Sequence, residues 1–200
     1  MNKLETSNQS EIEKVMKKVY YEFDTVVSYK IWVKNFALNL ENIWKEESVK
    51  KLSENTVSDT AIVIGRGPSL KNHDHLNKLK NSNYNGAIVC TDGALTTALK
   101  AGITPDRFPE FYVVTVDPRS ETIKFYNDNI INKYKGKIKG IFSTVSNPNT
   151  VKKARESGVE IFWFHSLVDY NEGEKSFNQI SALMTRAKNH ENGLPAIQTG

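Results

Sequence analysis

The sequence predicts an α/β protein: a doubly wound, mostly parallel, Rossmann-like sheet preceded by an α-helical N-terminal segment. Two observations carry this reading. From residue 60 onward, short runs rich in β-branched residues alternate with stretches of helical spacing, as in successive βαβ units. Each short run is nearly continuously apolar rather than alternating, the pattern of parallel strands covered on both faces. The absence of Pro and Gly from residues 11–54 marks the helical segment ahead of them.

In that segment Ile12, Val15, Val19, Phe23, Val26 and Val27, then Ile31, Phe36, Leu40, Ile43 and Trp44, recur at helical spacing. One long helix or two are expected, broken near residues 27–29 where β-branched residues cluster. Residues 1–58 read as a helical cap that packs on the main domain or joins a second copy in a homo-oligomer. Residues 59–200 read as the Rossmann-like domain. Its strand candidates are 60–64, 86–90, 111–116, 140–142 and 159–164; its helix candidates are 68–80, 94–101, 119–133, 149–156 and 176–188.

The chain of 200 residues carries 27 Lys and Arg against 23 Asp and Glu. The excess lies beyond residue 58, because 9 basic and 9 acidic side chains balance before it. A net charge of +4 suits a small anionic ligand and is too mild to point to nucleic acid. Cys90 is the lone cysteine, which excludes an internal disulfide and a cysteine-cluster metal site and suits a reducing compartment, the cytoplasm by default. No run approaches the ~18 consecutive apolar residues of a membrane span.

In an open parallel sheet, ligands bind beyond the carboxyl ends of the strands, so the candidate site is sought there. The first strand ends in Gly65-Arg66-Gly67-Pro68-Ser69. Gly65 allows a positive φ, and Gly67 lets a ligand approach the backbone with no Cβ in the way. Pro68 suits the first helical position, with Gly67 as cap. The free N–H groups of that turn and the Ser69 hydroxyl would then face an anion, with Arg66 adding charge. There is no Gly-Lys-Ser/Thr, and Leu70 fills the third glycine slot of G-x-G-x-x-G, so neither a Walker loop nor a complete dinucleotide fingerprint is present. A tight turn remains an alternative for the motif alone.

The second strand ends in "CTDGAL". Asp92 falls close to where dinucleotide folds place the acid that holds ribose hydroxyls, and Gly93 clears room for backbone approach; a simple helix cap is the alternative for Asp92. The third strand ends in "VVTVDPRS", and Asp117 there could cap a helix or hold Mg2+ through its carboxylate. The fourth offers Ser143, Thr144, Ser146 and Asn147; the fifth offers His165, Ser166 and Asp169. His165 is a candidate general base or phosphate contact. His73 and His75 have no evident further ligands for zinc, and Cys90 reads as a buried small hydrophobe.

Through "VIGRGPSL", "VCTDGALTTALKAGITPD" and "VVTVDP", in that order, the chain resembles the MptE-like family. That family includes archaeal 6-hydroxymethyl-dihydropterin diphosphokinases, and motility accessory factors contain a related domain. The resemblance covers roughly residues 60–117 well and the rest loosely. The opening Gly-x-Gly-Pro-Ser-Leu is also similar to that of some bacterial sialyltransferases. The resemblance implies that Gly65, Gly67, Pro68 and Ser69 meet phosphate and that Asp92 and Gly93 line the nucleotide or pterin site. It matches Asp117 to the second carboxylate of an Asp-Leu-Asp-Gly motif. Thr115 stands in place of the first carboxylate and Pro118 in place of the glycine, and "STVSNPN" replaces a His- and Asp-rich segment. The closing "GLPAIQTG" looks like the lead into a further glycine-rich loop, so a truncated member or an N-terminal piece is expected.

The function expected is a nucleotide-dependent transferase. One form is a diphosphokinase using ATP with Mg2+, the ion on Asp117, with Asp92 and His165 as further catalytic candidates. A second is a glycosyltransferase using a nucleotide-activated sugar. A third is a non-catalytic nucleotide-binding module.

Overall fold

A computed structural model describes residues 28–54, 56–167, 176–186 and 194–198. The helical spacing expected over 11–27, Asp169 and the last helix candidate's end at 187–188 lie outside them. The N-terminal segment forms α1 (Ser28–Lys45), a two-residue strand β1 (Glu47–Ser48) and one helical turn, α2 (Lys50–Ser53). Then follow β2 (Ala61–Ile64), α3 (Ser69–Asn72), α4 (His75–Lys80), β3 (Ala87–Thr91) and α5 (Asp92–Ala101). After β4 (Phe111–Thr115) come two 3₁₀ helices, Ser120–Tyr126 and Ile131–Tyr134. The chain continues through β5 (Lys139–Ser143), α6 (Pro148–Glu156), β6 (Glu160–Leu167), α7 (Phe177–Met184) and β7 (Ala196–Gln198).

Six strands form an all-parallel sheet in the order β2-β3-β4-β5-β6-β1, and β7 runs parallel beside the far half of β6. One row of the register runs Ile64, Cys90, Val113, Gly140, Ile161. The side chains of Ile64, Cys90, Val113 and Ile161, with Ile88, Phe142 and Trp163, belong to the main core, together with Phe36 and Ile43 of α1, Leu95 of α5, Val151 of α6 and Phe177 of α7. From β2 to β6 each strand is laid beside its predecessor in one direction. Right-handed crossovers then put every intervening helix on the same face. The opposite face has a smaller cluster of Ala87, Tyr112 and Phe162 under Leu52 of α2. On the edge strand β2, Val63 remains 72% exposed.

Two helix candidates form differently from expectation. The stretch 68–80 breaks at Asp74, which takes a left-handed φ of 54° and accepts a hydrogen bond from Asn77 Nδ2 at 2.8 Å; Asp tolerates that conformation better than most residues. The stretch 119–133 gives 3₁₀ turns in place of an α-helix. There Asp128 Oδ1 accepts the Ile130 N–H at 3.0 Å, a local bond that competes with the helical ladder.

Candidate functional site

The loop after β2 sits between two clefts. One, of about 620 Å³, is lined by Ile62, Gly65, Gly67, Ser69 and Leu76; the other, of about 450 Å³, by Arg66, Gly67, Lys71, Asp74 and Gly93. Residues 65–69 are all exposed. Pro68 has helical dihedrals (φ −62°, ψ −26°), and the Gly67 carbonyl accepts from the Leu70 N–H at 3.1 Å, so the turn opens as its Pro-Ser spelling suggests. Gly65 does not use a positive φ: among the described glycines only Gly102, Gly136 and Gly158 do. Nor does crowding demand glycine. A Cβ on Gly65 would meet nothing within 4 Å, and one on Gly67 only Ser69 Oγ at 3.7 Å. The open space above both residues is therefore available to a group from outside the chain.

Gly93 has another role. A Cβ there would come within 2.7 Å of Arg66 Cδ, so Gly93 makes room for the arginine side chain while also lining the smaller cleft. Arg66 lies with its guanidinium 5.1 Å from the Phe125 ring centre, a cation–π contact. Asp92 is the first residue of α5, and its Oδ1 accepts the Gly93 N–H at 2.6 Å. Burial pushes its carboxyl above the ordinary range, and the charge of Asp117 adds to this, against the Gly93 N–H, the Thr115 hydroxyl and Arg66.

Asp117 follows β4 and is clasped by Arg119, with Nε to Oδ1 at 3.0 Å, Nη2 to Oδ2 at 2.9 Å and the backbone N–H to Oδ1 at 2.9 Å. Burial alone would raise Asp117, but these bonds outweigh it and hold the carboxyl below its usual range. The ends of β2, β3 and β4 thus bring together Arg66, Asp92, Asp117 and Arg119: Asp117 is paired with Arg119, and Asp92 feels the charge of Arg66 more weakly, without a direct bond to it. Among the described residues no group of three or more His, Cys, Asp or Glu could hold a metal. One or two carboxylates fit Mg2+, which keeps waters or substrate phosphates as its remaining ligands.

The later strand ends are used differently. Ser143 Oγ bonds Ser166 Oγ at 2.7 Å, Ser146 Oγ donates to the Thr115 carbonyl at 3.0 Å, and Asn147 caps α6 by accepting the Asn149 N–H at 3.0 Å. His165 is 3% exposed. Its Nδ1 meets Thr144 Oγ1 at 2.8 Å and its Nε2 meets Ser181 Oγ at 2.7 Å, between the rings of Phe36 and Phe177. Ser181 Oγ also lies 3.0 Å from the Asn178 carbonyl. His165 lies on β6, two strands from β4, and both its nitrogens are used inside the fold. Thr115 is fully buried, bonded to Tyr126 Oη at 2.6 Å.

Sequence reasoning missed the two asparagines that brace the site. Asn35 Nδ2 donates to the carbonyls of Pro118 (2.8 Å) and Val145 (3.0 Å); Asn39 Nδ2 donates to those of Thr144 (3.1 Å) and Ser146 (2.8 Å). Spaced four apart, they share one face of α1 and tie down the loops after β4 and β5. Both stand in the apolar stripe of Trp32, Phe36, Leu40 and Ile43, and a polar residue in such a stripe is the signal that would have found them.

Among the described residues no helix is long and apolar enough to cross a membrane. The chain is similar to a 6-hydroxymethyl-7,8-dihydropterin pyrophosphokinase of Methanocaldococcus jannaschii, 27% identical over 151 residues, which are 68% of this chain and 59% of that protein. It therefore spans about three fifths of that relative's length. No solved structure matches it. The family described as 6-hydroxymethylpterin diphosphokinase MptE-like matches residues 34–189, starting inside α1 beside Asn35. With most of its length matched, from the asparagine brace through every strand end of the candidate site, the chain belongs to the MptE-like family.

Proposed function

We propose that the chain is a diphosphokinase-type transferase that moves diphosphate from ATP to a hydroxymethyl group, on a pterin in the first instance. The observation that carries this is the pair Gly65 and Gly67: neither backbone conformation nor internal packing requires glycine there, and a bound phosphate chain does. The name of the archaeal relative supports the same chemistry. The acceptor oxygen attacks the β-phosphorus, the bond from that phosphorus to the α–β bridging oxygen breaks, and AMP leaves.

Each residue has a part. The Gly65 loop and Ser69 receive the phosphate oxygens, and Arg66, seated by Gly93 and Phe125, offsets their charge. Asp117 would hold Mg2+, whose chemistry when bound is to neutralise charge developing on the phosphates. Asp92, its carboxyl raised by burial, is poised to take the acceptor's hydroxyl proton. Binding in the correct geometry does most of the rest. ATP as substrate and a lone buried Cys90 both suit the cytoplasm.

One observation favours a second reading. Thr115, where the pterin enzymes' first carboxylate falls, is buried against Tyr126, which leaves a single carboxylate after β4. A glycosyltransferase holding a nucleotide-activated sugar without a metal would need no more. Calorimetric titration with ATP and CTP, each with and without Mg2+, separates the two. The diphosphokinase reading expects ATP to bind only with Mg2+ and binding to be lost in Gly67→Val and Asp117→Asn. CTP binding without Mg2+, unaffected by Asp117→Asn, would sink it in favour of the glycosyltransferase. Intact binding of ATP with no turnover of any pterin would instead favour a nucleotide-binding module.

A further inference from the structure

The clasp on Asp117 has an unusual balance of exposure. The Arg119 side chain is 71% exposed and the Asp117 side chain 30%, so the guanidinium covers the carboxylate from the solvent side. Both carboxylate oxygens are taken. The backbone beneath is anchored: Thr122, 4% exposed, donates from Oγ1 to the Arg119 carbonyl at 2.8 Å and bonds Thr150 Oγ1 at 2.8 Å. The Arg119 N–H keeps its own bond to Asp117 Oδ1. The side chain can therefore leave while the backbone and the carboxylate stay where they are. Arg66 differs, since Phe125 holds its guanidinium against a ring.

We propose that Arg119 is an exchangeable counter-ion for Asp117, and that binding a cation–diphosphate chelate swaps the partners. The carboxylate passes to the divalent cation, and the freed guanidinium passes to a diphosphate oxygen, for which its planar fork is well matched. The inference rests on the reading that Asp117 and the Gly65 loop hold such a chelate. Its consequence is positive coupling. Cation alone must displace Arg119, and diphosphate alone finds the arginine engaged; together they give all four charged groups an opposite partner. Arg119 thereby becomes a binding residue that sequence motifs do not mark.

The test uses the full chain, with inorganic pyrophosphate and Mg2+ or Mn2+ as probes, on wild type, Arg119→Gln, Arg119→Lys and Asp117→Asn. Affinities come from calorimetry, Mn2+ binding from water-proton relaxation, and intact folding from thermal melts. In Arg119→Gln, Mn2+ alone should bind about two- to fivefold more tightly, because an exposed ion pair no longer competes. Mg-pyrophosphate should bind the same variant about tenfold more weakly or worse, because a charged hydrogen bond is lost. Arg119→Lys, which keeps the charge without the fork, should fall between. If Asp117→Asn abolishes Mg-pyrophosphate binding but Arg119→Gln changes neither affinity, or weakens Mn2+ binding, the exchange is refuted and the site reading stands. If wild type takes no Mg-pyrophosphate, or Asp117→Asn is silent, the site reading fails and the exchange fails with it.

Discussion

Replacing Asn39 tests whether α1 is structurally part of the site. The side chain is fully buried and gives both amide hydrogens to the carbonyls of Thr144 and Ser146; its own Oδ1 finds no partner among the described residues. In Asn39→Ala two buried carbonyls lose their donor, at about 2 kcal/mol each. Removal of the unpartnered amide oxygen returns about 2 kcal/mol, and the better helix former about 0.5 kcal/mol. A small void adds about 0.5 kcal/mol of loss. The net is about 2 kcal/mol, or a fall in Tm of roughly 4–8 °C for a chain of this size. Asn39→Asp is the sharper variant. It keeps the shape but turns carboxylate oxygens toward two carbonyls, and should cost about 3–5 kcal/mol at pH 7 and less near pH 4, where a protonated acid can donate one bond. Thermal and urea unfolding of the full chain measure both. An Asn39→Asp protein within about 0.5 kcal/mol of wild type, the scatter of an ordinary surface substitution, would refute the brace.

Two further outcomes are expected. The Asp92 carboxyl is raised in the fold, so its contribution favours low pH and is lost as pH rises through its folded value. At pH 7 the ionised group works against folding, and Asp92→Asn should melt higher than wild type there, with the advantage shrinking toward pH 4; a lower melt at pH 7 would contradict the assignment. Cys90 is 0% exposed and burial pushes its thiol up to about 12, so it should ignore a disulfide reagent at pH 8 and react only on unfolding; rapid labelling of the native protein would contradict its placement.

What was legible in the sequence follows from the range of each interaction. Strands β2 to β6 start within a residue of where the sequence places them, because runs such as Ala61–Ile64 and Phe111–Thr115 are specified by their own side chains, whereas the short β7 (Ala196–Gln198) is not among the strand candidates. The Gly65 turn, Asp92 and Asp117 were legible because strand ends of a parallel sheet share one edge. The strand Glu47–Ser48 was not, since its pairing with Phe162 and Trp163 leaves no mark on two polar residues. Polar residues at the carboxyl ends of β5 and β6 read as an extension of the site, yet Ser143 bonds Ser166 and Thr144 bonds His165. Sequence shows that a strand end is polar; only the fold shows whom it bonds. Arg119 carries no mark in the sequence, because its pairing with Asp117 depends on a turn that helical spacing does not predict.

The asparagine brace also sets an order of events during synthesis. From β2 to β6 the sheet can grow one neighbour at a time, by contacts short in sequence, which is the fast kind of assembly. The asparagines of α1 bond carbonyls lying 105 and 110 residues later. At a translation rate of about 5–20 residues per second, α1 leaves the ribosome roughly 5–20 s before those loops exist. Among the described residues, the first helix made is thus among the last to lock, and for that interval Phe36 and Ile43 are apolar side chains without their core. A chaperone that samples nascent chains would meet these side chains uncovered during that interval.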